Sequence, residues 1–167
     1  MASTNKTTHL NLNQWIGTDP VLRSDFNVDN VKLDAAINDR ALLRLEHGTL
    51  DAAASTIEID LLSHDLSLYG ELQVHLWPKT SASATVTLKV NNGTATTLTT
   101  LPAGGLRGLK VELTSLPGGF AGRWTSPGSE ESGTFQLANL APLDIETLTL
   151  TGNFQKETSW AVYGVRM

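Results

Sequence analysis

Cysteine is missing from all 167 residues. Disulfides, thiolate metal sites and cysteine nucleophiles are excluded with it. Positive charge is scarce: 12 Lys and Arg stand against 17 Asp and Glu, a net −5, and no basic run occurs. No nucleic-acid partner is expected, because the phosphate backbone is bound through clustered Lys and Arg. The acidity is concentrated in residues 1–60, with nine acids against five bases; the remainder has eight against seven. No run approaches about 18 apolar residues, so no membrane insertion is expected. The opening MASTNKTTHLNLNQW has no apolar core of the kind a signal peptide carries. Asn5-Lys6-Thr7 and Asn92-Gly93-Thr94 match the glycosylation pattern, which without a signal peptide is expected to be coincidental.

Chemistry-bearing motifs are also scarce. His9, His47, His64 and His75 show no zinc-ligand spacing. No Gly-x-Ser-x-Gly elbow occurs. The segments LPAGGLRG at 101–108 and LPGGFAGR at 116–123 resemble each other, but no Gly-Lys-Ser/Thr follows either. They read as turns between strands rather than phosphate loops. Glu130 and Glu131 are neighbours in a loop-like SPGSEESG stretch, which does not make an acid/base pair. The residues therefore predict neither an enzyme nor a metal or other cofactor.

What is present is pattern. Hydrophobic residues make up 40% of the chain, enough for a core. Residues 1–17 are rich in Thr and Asn, with Leu10, Leu12 and Trp15 spaced through them, and read as an extended arm that docks through those side chains. Thr18-Asp19-Pro20 signals a helix start, and Ser24 with Asn27 offers a second. Leu22, Phe26, Asn30, Leu33 and Ile37 then recur at spacings of 4, 4, 3 and 4, with Val31 and Ala35 beside them. That is one helical stripe over four or five turns. A helix this short is marginal alone in water, so it must pack on its own domain or on copies of itself. Asn30 within the stripe suits a register-fixing position in a bundle, or equally a solvent-facing residue on a surface helix.

Beyond residue 40 the period becomes two. Leu43, Leu45 and His47 alternate with Arg44 and Glu46; Ile57, Ile59 and Leu61 with Glu58 and Asp60; Leu72, Val74 and Leu76 with Gln73, His75 and Trp77. Val86 to Val90 follow suit, and Asn92-Gly93 then marks a hairpin before a Thr-rich run to Leu101. Runs at 109–113, 120–124, 134–137, 145–151 and 160–165 complete roughly ten short strands. Turns every 8–15 residues predict an antiparallel, jelly-roll-like β-sandwich. Two domains are expected, an arm and helix at 1–40 and a β-sandwich head at 41–167. Trp160 is expected in the core. Trp77, Trp124 and Tyr69 are candidates for stacking on sugar rings, with core filling as the competing role.

The order LNLNQW at 10–15, TDP at 18–20, DFN at 25–27 and KLDAAI at 32–37 resembles the N-terminal module of tailed-bacteriophage and prophage tail fibre, baseplate and receptor-binding proteins. LEHGT at 45–49 and the WAVYGVR ending at 160–166 are similar to fibre tips, whereas 50–155 resembles no particular family. The resemblance implies a virion protein assembled in the bacterial host cytoplasm. Its arm (Leu10, Leu12, Trp15) would bind other tail proteins, its helix stripe would form a homotrimer, and its head would meet the cell surface and its glycans. The chain departs from long receptor-binding fibres in having no shaft repeats. The alternative is a monomeric carbohydrate-binding module.

Overall fold

A computed structural model describes residues 5–16, 18–40, 42–104, 108–127, 131–141 and 144–166, without the side chains of 38–40. Glu130, residues 105–107 of the first Gly-rich segment and the Asp39 side chain lie outside the described residues. The chain divides into two compact units, Met1–Ala41 and Leu42–Met167.

In the first unit, two short strands, β1 (Asn5–Lys6) and β2 (Asn13–Gln14), pair antiparallel. They precede the helix α1 (Arg23–Arg40), 18 residues or about five turns. The helix begins after Pro20, and the Leu22 carbonyl accepts from the amides of Asp25 and Phe26.

Among the described residues the second unit is a sandwich of ten strands: β3 (Leu42–Thr49), β4 (Ala54–Asp60), β5 (Tyr69–Trp77), β6 (Ala84–Val90), β7 (Thr96–Leu101), β8 (Leu109–Leu116), β9 (Gly119–Thr125), β10 (Ser132–Ala138), β11 (Thr147–Phe154) and β12 (Ser159–Arg166). One sheet runs β10-β9-β8-β5-β12-β3 and the other β4-β11-β6-β7. Every neighbouring pair is antiparallel. The chain crosses repeatedly between sheets and stays within one only at β6–β7 and β8–β9–β10. The mainly β, sandwich-like architecture follows from the alternation. Leu72, Val74 and Leu76 of β5, Leu109, Val111 and Leu113 of β8, and Ile57 and Ile59 of β4 face inward against Val86, Leu88, Leu148 and Leu150. Fully burying one such side chain contributes about 1.5–3 kcal/mol.

Glycines set opposite aromatic rings are a recurring device. Trp160 lies over Gly48, Trp124 over Gly133, Phe135 over Gly122 and Tyr69 over Gly164. In the first three cases ring and glycine are directly paired across neighbouring strands. Trp160 thus packs against the core from a half-buried position.

The hairpin expected at Asn92-Gly93 forms, with β6 and β7 antiparallel; residues 91–95 connect the strands and Asn91 takes the positive φ, +49°. The Asn91 side chain is occupied elsewhere, its Oδ1 accepting from the amides of Glu146 (2.8 Å) and Thr147 (3.0 Å). One local expectation is corrected, the alternation in β3: Arg44 pairs with Tyr163 and Glu46 with Val162, so Leu45 is an extra residue. This bulge switches the alternation. Glu46 shares the inner side with Val162 and meets His64 Nε2 at 3.2 Å, while His47 turns outward beside Ala161.

Candidate functional site

Two surfaces carry the residues singled out in the sequence. The first is the arm-and-helix unit. Asn13 and Asp29 are both buried and form a two-point clamp: the Asn13 amide donates to Asp29 Oδ2 at 2.9 Å, and Asn13 Nδ2 to Oδ1 at 3.0 Å. Asn13 Nδ2 also reaches the Asp25 carbonyl at 3.3 Å, and Lys32 Nζ donates to the Asn11 carbonyl at 2.6 Å. Trp15 stacks on Phe26 with ring centroids 5.0 Å apart. The arm therefore docks on the chain's own helix, through Trp15 and polar contacts, while Leu10 is exposed and Leu12 half-buried. The Trp15 indole N–H and Asp25 Oδ2 are buried and lack a hydrogen-bond partner among the described residues.

The stripe Leu22, Phe26, Asn30, Leu33 and Ile37 is at the surface; Phe26 is 49% and Ile37 65% exposed. Val31 and Ala35 do not lie beside it. At about 100° per residue they fall, with Val28, on the opposite side of the helix. Val31 is 69% exposed. The helix thus carries two apolar faces rather than one, and the arm lies against the Asp25–Asp29–Lys32 side between them.

The second surface is the outer face of the six-stranded sheet. Residues paired across neighbouring strands share a face, so the register builds rows. One row runs Thr125, Lys110, His75, Ala161, His47; the next runs Arg123, Glu112, Gln73, Tyr163, Arg44. At their centre the His75 ring lies 5.1 Å from Tyr163, edge-on, and 5.7 Å from Trp77. Lys110 Nζ meets Glu112 Oε1 at 2.6 Å, and Gln73 Nε2 donates to Glu71 Oε1 at 2.6 Å. Burial lowers the His75 pKa below the ordinary histidine value; the Lys110 ammonium lowers it further, and the Glu112 carboxylate opposes them. Trp77 is 47% exposed. A shallow recess of about 80 Å³ opens beside it, walled by His75, Gly108, Lys110 and Pro127. An exposed indole among side-chain donors and acceptors is chemistry suited to a sugar ring.

The other two aromatic candidates are used differently. Tyr69 is 8% exposed, its ring against Gly164, so it presents no face to a ligand. Trp124 is half-buried, covers Gly133 and packs against the core. Tyr163, His75, Lys110 and Glu112 were not singled out by sequence reasoning as site residues. The period-two rule marks each of them as outward-facing, but only strand order makes them neighbours. Among the described residues, no three His, Asp or Glu side chains converge as a metal site.

No protein-family model matches the chain, and no curated protein matches it. Solved structures with some likeness include scytalido-glutamic peptidase with a peptide-based transition state analog (6% identity, TM-score 0.32), covering 70% of this chain and 66% of that one. Another is SCP-B, a member of the eqolisin family of peptidases, in a complex with the tripeptide Ala-Ile-His (7% identity, TM-score 0.31), covering 70% and 65%. The chain spans just under two thirds of the length of these structures. Likenesses of this size carry no argument about fold or chemistry.

Proposed function

We propose that the chain is a structural protein of a bacteriophage or prophage tail, at the tip, fibre or baseplate. It acts in assembly and host-surface attachment as a homotrimer, and its location is the virion. The observation that carries this reading is the exposed stripe Leu22, Phe26, Asn30, Leu33 and Ile37 on a helix of about five turns. A helix of this length gains most of its stability from packing an apolar face, and the stripe is left open in the single chain. Three copies packed about an axis would cover it. The resemblance of 10–37 to tail-protein N-terminal modules supports the same arrangement, with other tail proteins as partners of the arm.

The test is solution mass by light scattering on the full chain and on a Phe26→Asp/Leu33→Asp variant. A threefold fall in the mass of the assembly supports the reading; a monomeric wild-type chain overturns it.

A second reading, a monomeric carbohydrate-binding module, is favoured by exposed Trp77 with His75, Tyr163 and Gln73 around it. Binding on a glycan array that is lost on Trp77→Ala, by a chain that remains monomeric, would select it. In a trimer the same patch would gain avidity from three copies.

A further inference from the structure

Strands β3 and β10 edge one sheet, and β4 and β7 edge the other. An edge strand exposes a row of N–H and C=O groups, and proteins blunt it with charge, proline or a bulge. Three of these edges are blunted in that way. β3 carries Arg44 and Glu46 and bulges at Leu45. β4 carries Glu58 and Asp60 and pairs with a β11 that bulges between Thr151 and Phe154. β7 bulges at Leu98, since Val86 pairs with Thr99 but Thr87 with Thr97. β10, SGTFQLA, has no charge, no proline and an unbroken seven-residue register with β9.

The hairpin's hydrogen bonds fix which groups of β10 are open. The Ser126 amide donates to Glu131 O at 3.1 Å and the Asn139 amide to Gly118 O at 2.9 Å. In an antiparallel ladder, bonded and non-bonded pairs alternate. Gly133, Phe135 and Leu137 therefore bond to β9, and Ser132, Thr134, Gln136 and Ala138 turn N–H and C=O outward. The side chains of those same four residues are exposed.

We infer that β10 is a strand-pairing interface and that its occupant is β10 of a second copy, antiparallel and centred on Phe135. That register sets Thr134 against Gln136 and Ser132 against Ala138, so every outward-turned residue meets another. A slip of one residue would set open groups against groups already bonded to β9. No like charges meet, because β10 has none. On the inner side Phe135 faces its own copy, and Leu137 falls opposite Gly133, over which the Trp124 ring of that chain lies, so the leucine meets an indole rather than open space. Leu137 and Leu140 also line an open space of about 400 Å³ at this end of the sandwich. The contact is isologous, so it closes after two copies. It is separate from the helix stripe and would join two trimers where the stripe forms one.

The test uses the full chain. Proline at 136 removes an N–H that points away from β9, and lysine at 136 adds an edge charge opposite Ala121, so neither breaks the β9–β10 ladder. Light scattering over a dilution series is expected to give wild type twice the mass of Gln136→Pro or Gln136→Lys. The factor of two should persist when Phe26 and Leu33 are both changed to Asp, which separates this contact from the helix. Equal masses for wild type and both folded variants overturn the inference. The absence of native cysteine allows a register test that does not touch the core. Oxidising a mixture of Thr134→Cys and Gln136→Cys chains should give a covalent dimer, because cross-strand partners lie within disulfide reach. Either chain alone should give far less. Equal linking in all three samples, or none in the mixture, overturns the register even where the proline variant fails to fold.

Discussion

Asn13 donates twice to Asp29, its amide to Oδ2 at 2.9 Å and its side chain to Oδ1 at 3.0 Å, and this clamp, with the Trp15–Phe26 stack and the Lys32 hydrogen bond to the Asn11 carbonyl, holds the arm to the helix. Asn13 and Asp29 are both buried, so each would be left with unmet hydrogen bonds if the other were removed.

Asp29→Ala is expected to release the arm. A hydrogen bond to a charged group is worth about 1.5–3 kcal/mol, and two are lost together. Trp15 would leave its stack on Phe26, shifting tryptophan emission to the red, and the Asn13 amide would exchange faster. Asp29→Asn should be milder, since its remaining carbonyl oxygen can still accept. An unchanged exchange rate at Asn13 in Asp29→Ala would contradict this role.

A methyl group at Gly48 would lie 2.6 Å from the Trp160 ring. Gly48→Ala should therefore destabilise the head by about 1–3 kcal/mol in urea unfolding, as overpacked sites do. The penalty should shrink in a Trp160→Leu background, because the clash is with the ring and not with the backbone. The same pairing of experiments applies to Gly133 and Trp124, where the added methyl would lie 2.5 Å from Nε1.

His75 makes the head sensitive to acid. Its folded pKa is below the ordinary value of 6.5, so the unfolded chain takes up the proton first as pH falls. The stability contribution is present above 6.5 and is lost as pH falls through the lower folded value. His75→Gln should flatten that part of the stability–pH curve. Lys110→Met should raise the imidazole pKa and Glu112→Gln should lower it, as read by NMR titration of the His75 ring. A Lys110→Met titration that shifts downward would refute the assignment of causes.

Periodicity alone made most of the elements legible. The 3.6-residue spacing from Leu22 to Ile37 marked α1, and alternation marked the ten sandwich strands and, for most of them, the inward side. These are properties of a single segment: a side chain's direction follows from its own backbone geometry. Residue spacing also located the stripe of α1, but misjudged Val31 and Ala35, whose angles place them on the other side of the same helix.

The rest depended on contacts between segments distant in the chain. Nothing local sets β5 between β12 and β8, yet that order alone brings His75, Lys110 and Tyr163 together. The bulge at Leu45 reversed the directions expected for Glu46 and His47, because an extra residue on one strand shifts the phase against its partner. Tyr69 and Trp124 became packing residues because glycines lie opposite their rings. The sequence by itself determined what each strand and helix could be and which way most side chains would point. Which strands met, and so which side chains became neighbours or remained open at an edge, was decided only by the tertiary fold, because pairing free energy depends on both partners at once.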